Sequence, residues 1–189
     1  MRKKIVGVTL FAVAIILGFP QIQNEEANQK LNIKSDAGSS TGQQPITLVR
    51  TIDGDTIKVK VKGKIETVRY LLVDTPESKK EGMCVQPFAI EAFRRNNQLV
   101  NSGRLTLEFE EGNTRDSYGR LLAYVYVDGK MVQETLIKEG LARVGYIMNP
   151  PYKFLNLLRE NENLAKREKE NIWSHPNYVT KRGFNGCVQ

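Results

Sequence analysis

The sequence predicts an α+β fold, a small β-barrel with helices packed against it. Three observations carry this expectation: five short segments patterned as strands, three segments with helical spacing, and their order along the chain, β-β-β-α-β-β-α-α. A parallel α/β sheet needs strands and helices to alternate regularly, and these do not.

From Ile46 to Val73 apolar residues alternate with polar ones, as in TIKVKVKGKIETVRYLLV, with Lys62, Gly63 and Lys64 at a turn, so two or three strands of an antiparallel meander are expected. PFAIEAFRRNNQLVNSG (87–103) opens on Pro and closes on Gly, the punctuation of a helix. Two further strands, RLTLEFE (104–110) and LLAYVYV (121–127), flank the turn segment EGNTRDSYGR, and Asp128–Gly129 supplies a second strong turn signal. VQETLIKEG (132–140) ends in Gly, and KFLNLLRENENLAKREKENIW (153–173) is long, charged and amphipathic, which gives the last two helices. Trp173 is expected to seal the end of the third helix, the charge run 166–170 to be a solvated helix face, and His175 to be an exposed tail residue.

A chain of 189 residues with 40% hydrophobic content buries one ordinary core. Arg2, Lys3 and Lys4 precede the uncharged apolar run 5–19, the pattern of an export signal, so residues 1–20 are expected to be a signal peptide or a retained signal anchor. Residues 21–45 are polar and lack periodicity, as in a disordered tether. The folded domain is then expected over 46–175 and a tail over 176–189. The net charge of +7 favours an anionic partner; without the three leading cations, 25 basic against 21 acidic side chains remain. In an exported chain the only two cysteines, Cys84 and Cys187, are expected to pair and to tie the tail to the loop before the first helix. Closing so long a loop is worth roughly 4–5 kcal/mol in the chain-entropy picture.

The chemical equipment is sparse: one histidine, two cysteines, and a set of charged residues at turning points. Asp53 and Asp55 lie in IDGDT before a strand, and Asp74 and Glu77 lie in RYLLVDTPE where the chain leaves the sheet. Strand ends joined by turns bring such carboxylates together, and oxygen ligands without imidazole suit Ca²⁺ or Mg²⁺ better than Zn²⁺. Each motif taken singly reads more readily as a turn than as a metal site, because Asp and Gly dominate turns for local reasons. Arg69 and Arg120 have the fork geometry that binds phosphate oxygens, and either alone reads as a surface ion pair. Together, cation ligands, a base and two guanidinium groups are what phosphodiester cleavage requires.

IDGDT, VRYLLVDTPE and YGRLLAYVYVDGKMV, followed by GLARVGY and NIWS, resemble the staphylococcal nuclease (thermonuclease) family in motif and in order, from about Leu48 to Ser174. The resemblance implies an OB-fold, a five-stranded antiparallel β-barrel with three helices, acting as a monomeric, Ca²⁺-dependent, sugar-nonspecific nuclease on DNA and RNA that leaves 3′-phosphate ends. Carried over by residue, it makes Asp55, Asp74 and the Thr75 carbonyl the Ca²⁺ ligands. It gives Glu77 the attacking water, places Arg69 and Arg120 on the scissile phosphate, and puts Asp53 behind the ligands. Tyr118 and Tyr146 would contact the nucleotide, with buried packing the alternative reading for Tyr146. Ser117 and Met148 depart from the family pattern, where a lysine and a tyrosine are expected, and CVQPF replaces a lysine-rich loop before the first helix. That loop, 77–87, otherwise reads as polar and flexible. The alternative to an enzyme is an OB-type module that binds single-stranded nucleic acid without cutting it. With its leader, the protein is expected to be secreted, or membrane-anchored with the folded domain outside the cell.

Overall fold

The computed structural model describes residues 42–78, 82, 84–112, 114–148 and 150–188. The expected leader, and the expected tether as far as residue 41, lie outside these.

The first strand, β1 (Gln44–Thr51), begins inside the stretch read as tether. Gln44 and Pro45 pair with Leu107 and Thr106, so the boundary moves two residues towards the N-terminus. Composition hid this, because only Ile46 and Leu48 of the strand's first half pack against the core. Beyond Leu48 the register slips so that Val49 is an extra, exposed residue, a bulge that bends β1 and lets it pair with β5 (Leu105–Glu108) at one end and β2 (Thr56–Val61) at the other. A two-residue turn joins β2 to β3 (Lys64–Tyr70); Lys62 and Gly63 both take positive φ, 47° and 82°, as a tight hairpin of this hand requires. Asp128–Gly129 makes the same kind of turn between β6 (Leu121–Val127) and the short β7 (Lys130–Met131).

The strands run in the order β3-β2-β1-β5-β6-β7, and β3 also pairs with β6, closing five strands into a barrel. Every ladder is antiparallel except that seam, where Val68, Arg69 and Tyr70 lie parallel to Leu121, Leu122 and Ala123. The inward residues Ile57, Val59, Val68, Leu107, Ala123 and Val125 are wholly buried, while Lys58 between the first two is half-buried and Lys60 beyond them is exposed, the period-two pattern of a one-sided core.

Three helices cover the barrel: α1 (Ala89–Val100), α2 (Val132–Lys138) and α3 (Leu155–Glu168). The helix read through to Trp173 stops at Glu168. Lys169 turns left-handed at φ 55° and a separate 3₁₀ turn covers Asn171–Trp173, whose Ile172 N–H donates to Gly140 O at 3.0 Å. Gly140 itself takes φ 60° in contact with Glu170, where a Cβ would lie 2.4 Å from the Glu170 carbonyl oxygen. Trp173 packs beside α3, with the Lys166 ammonium 4.5 Å from its ring centre.

Two short pairings fell below what periodicity reveals. β4 (Val73–Asp74) pairs with β8 (Arg143–Val144), and β9 (Val179–Thr180) with β10 (Gly183–Phe184), so part of the expected tail is a hairpin. Cys84 and Cys187 form the expected disulfide, with Cα atoms 5.6 Å apart.

Candidate active site

The turn between β1 and β2 builds one wall of the site. The Asp53 side chain accepts the Asp55 N–H at 3.1 Å, folding IDGDT back on itself, and the Asp55 carbonyl accepts the Tyr70 N–H at 2.9 Å, locking the turn to β3. Asn96 of α1 braces it from behind, donating to the Asp53 carbonyl at 2.8 Å and accepting the Tyr70 hydroxyl at 2.7 Å. Gly54 stands where a Cβ would meet Thr75 Oγ1 at 2.6 Å and the Ala92 Cβ at 2.9 Å, so the glycine is demanded by close approach.

The second wall is the exit from β4. Asp55 Oδ2 accepts the Thr75 N–H at 3.0 Å and meets Arg69 Nη1 at 2.9 Å, joining both walls through one carboxylate. Arg69 Nη1 also donates to the Val73 carbonyl at 2.9 Å, and its Nη2 lies 3.8 Å from Asp74 Oδ1. Asp74 is held chiefly by Arg143, whose Nε and Nη2 both reach Oδ2 at 2.8 Å. All four of these charged side chains are nearly or wholly withdrawn from solvent, with Asp55 5% exposed.

Asp55 and Asp74 therefore share a buried site with two guanidinium groups, with the half-buried Asp53 beside Asp55, and the electrostatics record the imbalance. Burial, followed by the Asp55 charge, pushes Asp53 up to about 7. Burial also raises Asp74, against the opposing pull of Arg143. Burial opposes the charge on Arg69, but Asp55 and Asp74 outweigh it and hold that guanidinium more firmly protonated than usual. Among the described residues no three His, Cys, Asp or Glu side chains form a metal-holding cluster. A cation here would rely on the two carboxylates Asp55 and Asp74, the Thr75 carbonyl and water. That all-oxygen set suits a hard divalent ion.

Glu77 follows three residues after Asp74, half-buried. Its backbone is fixed on both sides by Gln86, which accepts the Glu77 N–H through Oε1 at 2.7 Å and donates its own N–H to the Glu77 carbonyl at 3.0 Å. The far end of a loop read as flexible is thus held.

Arg69, Tyr118, Arg120 and Tyr146 line one open cleft of about 430 Å³, together with Ser117 and Met148. Asp116 organises its far rim, accepting the N–H groups of Tyr118 and Arg120 at 3.0 and 2.9 Å and the Arg120 Nε at 2.6 Å. Tyr118 is 84% exposed, with the Arg120 guanidinium 5.4 Å from its ring centre, and Tyr146 is exposed with Arg69 at 4.9 Å. Tyr146 is therefore no packing residue, and both rings stand open with a cation behind them. His175 is exposed, its ring against Phe88 at 5.3 Å.

The sequence-predicted residues thus fall into a carboxylate–arginine cluster and an adjoining cleft, with Arg69 in both. Four residues the sequence reading passed over hold this arrangement: Asn96, Asp116, Arg143 and Gln86. Arg143 sits inside the quoted segment GLARVGY, and Asp116 inside the turn segment before β6, but their partners are visible only in three dimensions.

A family model described as staphylococcal nuclease homologue matches residues 67–175. Endonuclease YncB of Bacillus subtilis (strain 168) is 63% identical over 144 residues, covering 76% of this chain and 68% of that protein. The SPbeta prophage-derived endonuclease YokF of the same organism is 61% identical over 144 residues, covering 76% of this chain and 49% of its own length, so the chain spans about half of that relative. Thermonuclease of Staphylococcus hyicus is 35% identical over 175 residues, covering 93% of this chain and 100% of that protein. A barrel closed beside buried carboxylates and arginines, matched over most of its length by these proteins, places the chain in the staphylococcal nuclease homologue family.

Proposed function

We propose that this protein is a Ca²⁺-dependent nuclease that hydrolyses phosphodiester bonds of DNA and RNA and leaves 3′-phosphate ends. The observation that carries the reading is Arg69, which belongs both to the buried carboxylate cluster and to the cleft lined by Tyr118, Arg120 and Tyr146. A module that only binds nucleic acid has no use for Asp55 and Asp74 buried beside its phosphate contact.

Asp55, Asp74 and the Thr75 carbonyl would hold the ion, which supplies positive charge next to the phosphate when bound. Glu77 takes a proton from, or orients, the water that attacks phosphorus. As the new P–O bond forms, the bond to the 5′ oxygen breaks and that oxygen leaves with a proton, which keeps the phosphate on the 3′ side. Arg69 and Arg120 meet the non-bridging oxygens, where negative charge grows. The Arg69 nitrogen that faces Asp74 at 3.8 Å is beyond hydrogen-bonding distance and is the one offered to phosphate. Asp55 and Asp116 keep each guanidinium aimed, so little reordering accompanies reaction. Tyr118 and Tyr146 give bases or sugars open aromatic faces, a sequence-tolerant form of contact.

The apolar leader and the paired cysteines support export to an oxidising compartment, with the leader removed or kept as an anchor. The chain without its leader, incubated with denatured DNA, is expected to cut in Ca²⁺ and to stop when the ion is chelated; cutting indifferent to chelator overturns the metal assignment. Glu77→Ser is expected to lower turnover by about 10²–10⁴-fold with the fold intact, the usual weight of a positioned acid or base. Wild-type turnover in that variant would remove Glu77 from the mechanism.

A further inference from the structure

The segment that follows the family-model match meets the loop after Glu77 at four consecutive residues. Cys84 is bridged to Cys187, the Val85 carbonyl accepts the Val188 N–H at 2.8 Å, Gln86 Nε2 donates to the Phe184 carbonyl at 3.1 Å, and the Pro87 carbonyl accepts the Tyr178 hydroxyl. All four partners lie beyond residue 175, where the family match ends.

Gln86 alone faces both ways. Its Oε1 and backbone N–H hold the N–H and carbonyl of Glu77, while its Nε2 holds the tail. It is 6% exposed, and a buried amide is tolerated only when such partners are met. On the other side of Glu77, the ring of Pro76 fixes the backbone torsion. The peptide from which the Glu77 carboxylate projects is therefore constrained from both directions.

We propose that Gln86 is a positioning residue for Glu77, and that the C-terminal segment, locked by the Cys84–Cys187 bridge, keeps Gln86 in place. The proposal rests on the reading of Glu77 given above. The tail reaches Glu77 through this chain of contacts, from Phe184 to Gln86 to the Glu77 backbone.

The test measures kcat and KM on denatured DNA in Ca²⁺ for the full folded domain with its disulfide formed. Gln86→Leu keeps the bulk and removes both polar functions of the side chain. It is expected to lower kcat on the order of tenfold to a hundredfold, the scale a small misplacement of a reacting group costs, with KM changed by less than about twofold. Glu77→Gln combined with Gln86→Leu is expected to be no slower than Glu77→Gln alone, because Gln86 acts only through Glu77. Losses that multiply in the double variant, a rise in KM alone, or wild-type kcat in Gln86→Leu beside an impaired Glu77→Gln would overturn the proposal and leave the reading of Glu77 standing. Full turnover in Glu77→Gln would overturn that reading and the proposal with it. Should Gln86→Leu fail to fold, Cys84→Ser/Cys187→Ser takes its place with the same expected loss in kcat and the same non-additivity with Glu77→Gln; wild-type kcat or multiplying losses there would overturn it equally.

Discussion

At the scale of single residues, the charged set was visible only in combination, because each acidic motif alone reads as a turn and each arginine alone as a surface ion pair. The structure brings Asp55, Asp74 and Arg69 into one buried cluster and sets Arg120 on the adjoining cleft. The residues that aim them were not legible, since Arg143 and Asn96 each find their partner across a long stretch of chain and carry no local mark of it. Arg143 is nevertheless what keeps Asp74 tolerable in the interior. Arg143→Met is expected to destabilise the fold by about 3 kcal/mol, because it leaves a buried carboxylate with only the loose Arg69 contact. Equilibrium denaturation checks this, and an unchanged midpoint would show that the pair is not holding Asp74. Gly54 reads in sequence as an ordinary turn glycine, yet the structure gives it a steric reason. Gly54→Ala must push Thr75 or Ala92 aside, and is expected to cost about 1–3 kcal/mol as overpacking does and to lower turnover as Thr75 shifts. A variant as stable and as active as the parent would show that the turn can relax.

At the scale of elements, strands with one buried face and helices with clean punctuation were readable, and edges were not. β1 began earlier than expected because pairing, not side-chain pattern, defines its first residues, and α3 ended earlier because the close approach of Gly140 to Glu170 turns the chain away. The start of α3 is fastened to the barrel by Glu108, which accepts the Tyr126 hydroxyl at 2.8 Å and pairs with Lys153. Burial works against its charge, but Lys153 and Tyr126 prevail and hold the carboxyl below its ordinary 4.5. These bonds favour the ionised form, so the stability they give is fully present above pH 4.5 and is lost as pH falls through the lower folded value. Glu108→Gln is expected to cost about 1–2 kcal/mol at pH 7, the scale of hydrogen bonds to a charged group. That gap should close on acidification below 4.5, and a pH-independent gap in denaturant midpoints would point to packing instead of charge.

At the scale of the whole molecule, barrel class, helix count and disulfide were foreseeable, whereas the direction of the closing ladder was not: the barrel expected to be antiparallel closes on a parallel seam, which leaves no turn in the sequence to announce it. Cys84→Ser/Cys187→Ser is expected to lower stability by about 2–5 kcal/mol, as loss of a long-range bridge does, with the barrel otherwise retained. Coincident denaturation curves for the two proteins would show that the bridge adds nothing to global stability. The seam matters differently. Arg69 stands on β3 beside Leu122 of β6, and Arg120 immediately precedes β6, so the ladder that shuts the barrel is also what brings the two guanidinium groups to one cleft. On the proposed chemistry, a half-wound chain holds every needed residue and remains inert. Completion of the fold is then its own switch, since the two guanidinium groups come to one cleft only when the seam has closed.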